Sequence, residues 1–153
     1  MFRITRLTDY GIVLLTHFAA KAEKSILNAR ELSTETGIPL PTVSKVLKTL
    51  AHSELLETHR GIKGGFHLTR PTSEITVAEM ISSLEGPIAM TECGGHEDDI
   101  CDMESLCVVR DKWKKINDAV IHALKGVTLA DLTDSDWSPV ILKGALSEMD
   151  GRK

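Results

Sequence analysis

The sequence predicts a mainly α fold with a small β-hairpin wing: a winged helix-turn-helix plus a long dimerisation helix. Three observations carry this reading. Two short helical patterns follow one another, separated at Gly37. A glycine-rich run, Arg60-Gly-Ile-Lys-Gly-Gly65, lies between two strand-like stretches. Further on, Val109, Trp113, Ile116, Val120 and Leu124 recur at the three-to-four-residue spacing of a helix with one apolar face.

Each element has its own local signal. Leu7 to Lys21 reads as a helix, with Ile12, Leu15, Phe18 and Ala19 at helical spacing and Thr8 or a neighbour as cap. Asn28, three residues before Glu31, forms a variant capping box and opens a short helix through Thr36 that stops at Gly37. A third helix begins after Ile38-Pro39-Leu40-Pro41, where Pro41 suits a first helical position. Val43, Val46, Leu47 and Leu50 form its buried stripe, leaving Thr42, Ser44, Lys45, Lys48 and Thr49 towards solvent. Two short helices about a glycine turn, the second polar and basic on its outer face, match a helix-turn-helix. Leu55–His59 and Phe66–Arg70 alternate as strands around the glycine-rich run, a hairpin in the position of a wing, and Pro71 ends it. Thr76 and Glu79 form a capping box that opens a helix to about Leu84, terminated by Gly86-Pro87. The long helix after Val109 ends at Gly126, and Thr128 with Asp131 caps one more short helix. The organisation expected is a winged helix-turn-helix domain over 1–87, a loop over 88–107 that carries all three cysteines and so reads as a cluster-binding loop, a dimerisation helix region over 108–132 and a C-terminal tail over 133–153.

Bulk properties narrow the function. Aromatic residues make up only 4% of the 153, so the core must be aliphatic. The longest apolar stretch, Tyr10 to Ala20, is far shorter than the roughly 20 residues a membrane span needs. It follows Arg3 and Arg6 but has no small-residue cleavage site after it, so it reads as helix rather than signal peptide. A cytoplasmic location follows, where thiols stay reduced. The net charge of −4 argues against nucleic acid until its distribution is seen. Residues 1–72 hold ten Lys/Arg against six Asp/Glu, whereas residues 73–153 hold eight against sixteen. A basic first half is what phosphate binding needs.

Double-stranded operator DNA is therefore the expected partner. Thr42, Ser44, Lys45 and Lys48 are the candidates on the recognition helix, and Arg60 and Lys63 at the wing tip are placed to enter a minor groove. The plainer reading of these cations is a solvated surface. A single module this small contacts too little DNA for tight specific binding, so a homodimer is expected, with the helix from Val109 to Leu124 as its element. The alternative for that helix is a place in the chain's own core.

All three cysteines fall in one window, Cys93-x₇-Cys101-x₅-Cys107. Grouped soft thiolates point to iron–sulfur or zinc ligation. Three thiolates leave one position of the usual four, and Glu92, His96, Glu97, Asp98, Asp99, Asp102 and Glu104 all lie nearby in sequence. No pair of cysteines has the two-to-four-residue gap of a zinc finger. A Cys₃His zinc site using His96 and unligated redox-active thiols remain as alternatives. With zinc, the module would serve protein interaction rather than sensing. No phosphate-binding glycine loop or nucleophile motif is present, so an enzyme is not expected.

The opening Arg6-Leu-Thr-Asp-Tyr-Gly11, the wing Arg60-Gly-Ile-Lys-Gly-Gly-Phe66 and the three cysteines together resemble the IscR/NsrR family of winged-helix iron–sulfur transcription regulators. The resemblance covers nearly the whole chain up to about Leu132. Within the family, residues 1–17 look most like the branch that regulates the SUF iron–sulfur assembly system. This resemblance implies a dimeric repressor of iron–sulfur assembly genes, with Cys93, Cys101 and Cys107 holding a cluster. Three cysteines plus one oxygen donor suit either nuclearity, with [2Fe–2S] preferred over [4Fe–4S]. The resemblance also places Asp9 where a carboxylate ligand comes from the partner subunit; otherwise Asp9 is a favourable charge at a helix N-terminus. Two departures stand out. Arg110 occupies the position of a histidine ligand, and guanidinium cannot donate to a metal. Ser44 replaces a recognition-helix glutamate, so site preference does not carry over.

Overall fold

The computed structural model describes residues 4–21, 25–91 and 108–135. The elements are α1 (Arg6–Ala20), α2 (Ala29–Thr36), α3 (Leu40–His52), β1 (Leu56–His59), β2 (Gly65–Leu68), a 3₁₀ turn (Thr72–Glu74), α4 (Val77–Glu85), α5 (Arg110–Lys125) and α6 (Leu129–Thr133). The winged helix-turn-helix and the long helix after it are both present.

Local chemistry sets most boundaries. Thr5, not Thr8, caps α1: its hydroxyl oxygen accepts from the Thr8 N–H at 3.3 Å, while Thr8 itself is buried. Asn28 Oδ1 accepts from the Glu31 N–H at 2.9 Å, and Gly37 ends α2 in the left-handed region at φ 71°. Ser33 Oγ then donates to the Ile38 carbonyl at 2.7 Å, tying the turn of the helix-turn-helix to the end of α2. α3 begins one residue before Pro41, so the proline stands at the second helical position. That costs nothing, because a first-turn N–H has no partner inside the helix. Its other end is a Schellman arrangement: Leu55 N–H donates to Leu50 O at 3.0 Å and Glu54 N–H to Ala51 O at 3.2 Å. This forces Glu54 to φ 62°, a position usually held by glycine.

The wing is antiparallel, with register Leu56↔Leu68 through His59↔Gly65. A third segment joins it, which the sequence pattern did not reveal. Leu27 and Phe66 exchange both backbone hydrogen bonds at 2.9 Å, so the stretch before α2 pairs with the outer edge of β2. The approach is close. A Cβ on Gly65 would stand 2.5 Å from the Leu27 carbonyl oxygen.

The core is aliphatic, as the scarcity of aromatics requires. Leu14, Leu15, Leu32, Val43, Val46, Leu47, Leu50, Leu55, Ile75, Met80 and Leu129 are fully or almost fully buried. Leu129 belongs to α6, which returns after α5 to pack on α1 and the 3₁₀ turn. Val77 N–H donates to Val127 O and Leu129 N–H to Ile75 O, both at 2.8 Å. This bridge sets two reciprocal capping boxes side by side, Thr76 with Glu79 and Thr128 with Asp131. α5 is thereby tied at its C-terminal end to the winged helix. Its apolar surface is divided: Ile121 and Leu124 pack on the core, whereas Val109, Trp113 and Ile116 are 41%, 37% and 44% exposed. Among the described residues, no helix is long and apolar enough to cross a membrane.

Candidate nucleic-acid interface and cysteine segment

The helix-turn-helix presents one face of α3 outward. Lys45 and Lys48, three residues apart, are exposed on it, with Thr42 and Ser44 half-buried beside them. Thr42 spends its N–H on Pro39 O at 2.9 Å, and the Thr49 hydroxyl donates to Lys45 O at 3.1 Å. Among the described residues, no carboxylate pairs with Lys45, Lys48, Arg60 or Lys63. Lys21 and Arg70, by contrast, are engaged with Glu35 at 3.2 Å and Glu79 at 2.9 Å. Among the described residues of the winged helix, the four candidate cations thus stand outside any ion pair, as do Arg6 and Arg30.

At the wing tip, Gly64 N–H donates to Gly61 O at 2.9 Å and closes a turn. Arg60, Gly61, Ile62 and Lys63 project from it, all exposed. Ile62, fully exposed between two cations, was not singled out from the sequence. An apolar residue at a loop tip is unremarkable until the fold places it beyond the core's reach.

The first turn of α1 stands against the last turn of α4. Thr5 N–H donates to Glu85 Oε1 at 2.8 Å. The Thr8 hydroxyl and this N–H hold the Glu85 carboxyl below the ordinary glutamate value, against a smaller opposing effect of burial. At Glu79, burial raises the pKa, but bonds from Thr76 and Arg70 outweigh it and the net shift is downward. Asp9, one turn into α1, is exposed.

Cys93, Cys101 and Cys107 lie outside the described residues, as do Glu92, His96 and the acids near them. Among the described residues, no group of His, Cys, Asp and Glu is gathered for a metal ion. The two ends of the cysteine segment are described. Its entrance, Ile88 to Met90, is held by Asn117 in the middle of α5: Asn117 Oδ1 accepts from Met90 N–H at 3.1 Å and Nδ2 donates to Ile88 O at 3.3 Å. Its exit, Val108-Val109, leads straight into α5. Both ends therefore sit on one helix, about 12 Å apart along its axis at ~1.5 Å per residue. Arg110, the first residue of α5, is exposed. By the chemistry of the donor set, three thiolates suit an iron–sulfur cluster and leave one of its usual four ligand positions to another donor.

The family model for Rrf2, described as an iron-dependent transcriptional regulator, matches residues 4–135. The chain belongs to the Rrf2 family of transcription regulators. Similar proteins include aau3 of Rhizobium meliloti, 32% identical with 85% of this chain and 84% of the relative covered. The HTH-type transcriptional repressor NsrR of Streptomyces coelicolor is 28% identical, with 92% and 94% covered. Among solved structures, CymR of B. subtilis, described as the global cysteine regulator, superposes with a TM-score of 0.67 at 25% identity over 87% of this chain and 97% of its own. IscR of T. potens superposes at 0.63 over 94% and 88%, and at 21% identity it speaks to the fold alone. The family model, NsrR and CymR are all described as regulators and none as an enzyme, in keeping with the lack of a catalytic motif in the sequence.

Proposed function

We propose that this Rrf2 regulator is a cytoplasmic, homodimeric repressor that binds operator DNA and senses through an iron–sulfur cluster held by Cys93, Cys101 and Cys107. The observation that carries the reading is the seat of the cysteine segment. All three thiols lie in one excursion whose two ends are both on α5. α5 in turn is pinned to the winged helix by the 75–77/127–129 bridge. A change in that excursion therefore bears on a helix fixed to the winged helix.

Thr42, Ser44, Lys45 and Lys48 face the major groove in this reading, while Arg60 and Lys63 at the wing tip follow the phosphates or the minor groove. The exposed stripe of Val109, Trp113 and Ile116 meets its equivalent in a second copy, which covers apolar surface left open in the single chain. The partner subunit's Asp9 supplies an oxygen donor as the fourth ligand. When bound, the cluster supplies an iron centre whose integrity depends on iron supply, oxidants or nitric oxide. [2Fe–2S] is preferred over [4Fe–4S], and the likeness of residues 1–17 to the SUF branch points to iron–sulfur assembly genes as targets. The organisation is a winged helix-turn-helix over 1–87, a cluster segment over 88–107, a dimerisation region over 108–132 and a tail over 133–153.

Anaerobic purification with visible absorption, iron and acid-labile sulfide on one sample tests this reading. Coloured protein with matched iron and sulfide, and operator affinity that changes on cluster removal, supports it. Colourless protein that refuses iron on reconstitution but holds zinc overturns it in favour of a zinc-stabilised interaction module. Sedimentation of Ile116→Glu tests the dimer: a monomer is expected, and an unchanged dimer would place the interface elsewhere.

A further inference from the structure

We propose that Asn117 is a positioning residue that transmits the state of the cysteine segment to the DNA-reading face. This rests on the sensing function proposed above and adds the contact through which it acts. Asn117 is 5% exposed, and it is the one buried residue of α5, a helix whose neighbouring positions 110–116, 118 and 119 are all open. Asparagine has a modest helix propensity, and a polar side chain buried in an otherwise open stretch of helix calls for a specific partner.

Two of its bonds are to backbone. One amide satisfies the carbonyl of Ile88 and the N–H of Met90, as a neighbouring strand would. Ile88 is itself buried in the core, so the chain is fixed at 88–90 between core and helix, three residues before Cys93. The two bonds act as one clamp: with either gone, the chain at 88–90 slides against α5 and no longer carries a change into the middle of the helix. α5 is held at its far end by the Val127 carbonyl, bonded to Val77, and by Leu129, buried in the core with α1 and α3. A shift of α5 thus moves against the winged helix through these residues.

The test compares full-length wild type with Asn117→Asp and Asn117→Ala, each with and without its cluster. Binding is measured by fluorescence anisotropy to a duplex that the wild-type protein selected from a random library. The aspartate is isosteric: it keeps the acceptor for Met90 and loses the donor to Ile88, so it decides the matter should the alanine variant fail to fold. In wild type the cluster changes operator affinity by about tenfold or more, a common size for coupled sites. In both variants that ratio falls to within about twofold of one, while iron content, dimer mass and cluster-free affinity stay near wild type. A purely structural Asn117 would lower stability and leave the ratio intact, and that result overturns the proposal. If wild type shows no ratio at all, the sensing function fails and this inference falls with it.

Discussion

Replacing Gly65 by alanine tests the joint between the wing and the segment before α2. The added Cβ would lie 2.5 Å from the Leu27 carbonyl oxygen and 2.9 Å from Ile26 Cγ2. The first of these is backbone and cannot rotate away, so the strand pairing at Leu27 must open. Two hydrogen bonds of 2.9 Å between Leu27 and Phe66 are then lost. At about 1 kcal/mol net each, and more where a freed group stays buried, the cost is about 2–4 kcal/mol. For a chain of this size that lowers the Tm by roughly 5–15 °C. Arg60 and Lys63 move with the hairpin, so DNA affinity falls by about tenfold, the cost of roughly one good contact. Gly126→Ala is the internal control: the nearest atom to its Cβ is Ala123 O at 3.4 Å, and φ is −75°. It should be neutral or gain about 0.4–1 kcal/mol through the unfolded chain. Urea denaturation of both variants decides. Gly65→Ala within about 0.5 kcal/mol of wild type, a shift typical of an innocuous surface change, would refute the argument.

Three further outcomes follow from the same structure. Glu54→Gly relieves a left-handed glutamate and should raise stability by roughly 0.5–1 kcal/mol in thermal unfolding; a loss would mean that its side chain contributes more than its backbone costs. Glu85 and Glu79 both have carboxyls depressed below the ordinary value of 4.5, so their charged forms favour the folded state. The stability they contribute is present above that value and is lost as pH falls through the lower folded-state one, and Glu85→Gln should flatten the acid limb of a stability–pH curve. An acid limb as steep as wild type would remove the Thr5–Thr8–Glu85 contact from the explanation. Lys45→Ala and Lys63→Ala should each lessen the slope of log affinity against log salt by about one, measured by titration at several ionic strengths. An unchanged slope in either variant takes that lysine out of the phosphate contacts.

Much of the fold was legible because its signals are short-range. A cap and its acceptor lie three residues apart, so Asn28 with Glu31, Thr76 with Glu79 and Thr128 with Asp131 could be read directly, as could the glycine that stops α2. The stripe of α3 is equally local, since the same positions that repeat at helical spacing are the buried ones. Where a local signal was ambiguous the reading slipped by a residue or more: Thr5 rather than Thr8 caps α1, and β2 closes at Leu68 rather than Arg70. The candidate DNA residues were chosen on charge and motif order. Ile62 was not, because exposure of an apolar residue is a property of the surface and not of the pattern.

By itself, then, the sequence determined which segments are helical, where the wing turns, that the first half is basic and that the thiols are grouped. Each of these depends on a few neighbouring residues or on a simple count. Only the tertiary structure decided that Leu27 joins the wing, that α6 returns to put Leu129 in the core, and that Asn117 grips Ile88 and Met90 from 29 and 27 residues away. In each case a backbone group made available by one element is satisfied by another remote in the chain. The need to pair every buried N–H and carbonyl dictates that such partners exist, and the packed fold alone selects which they are.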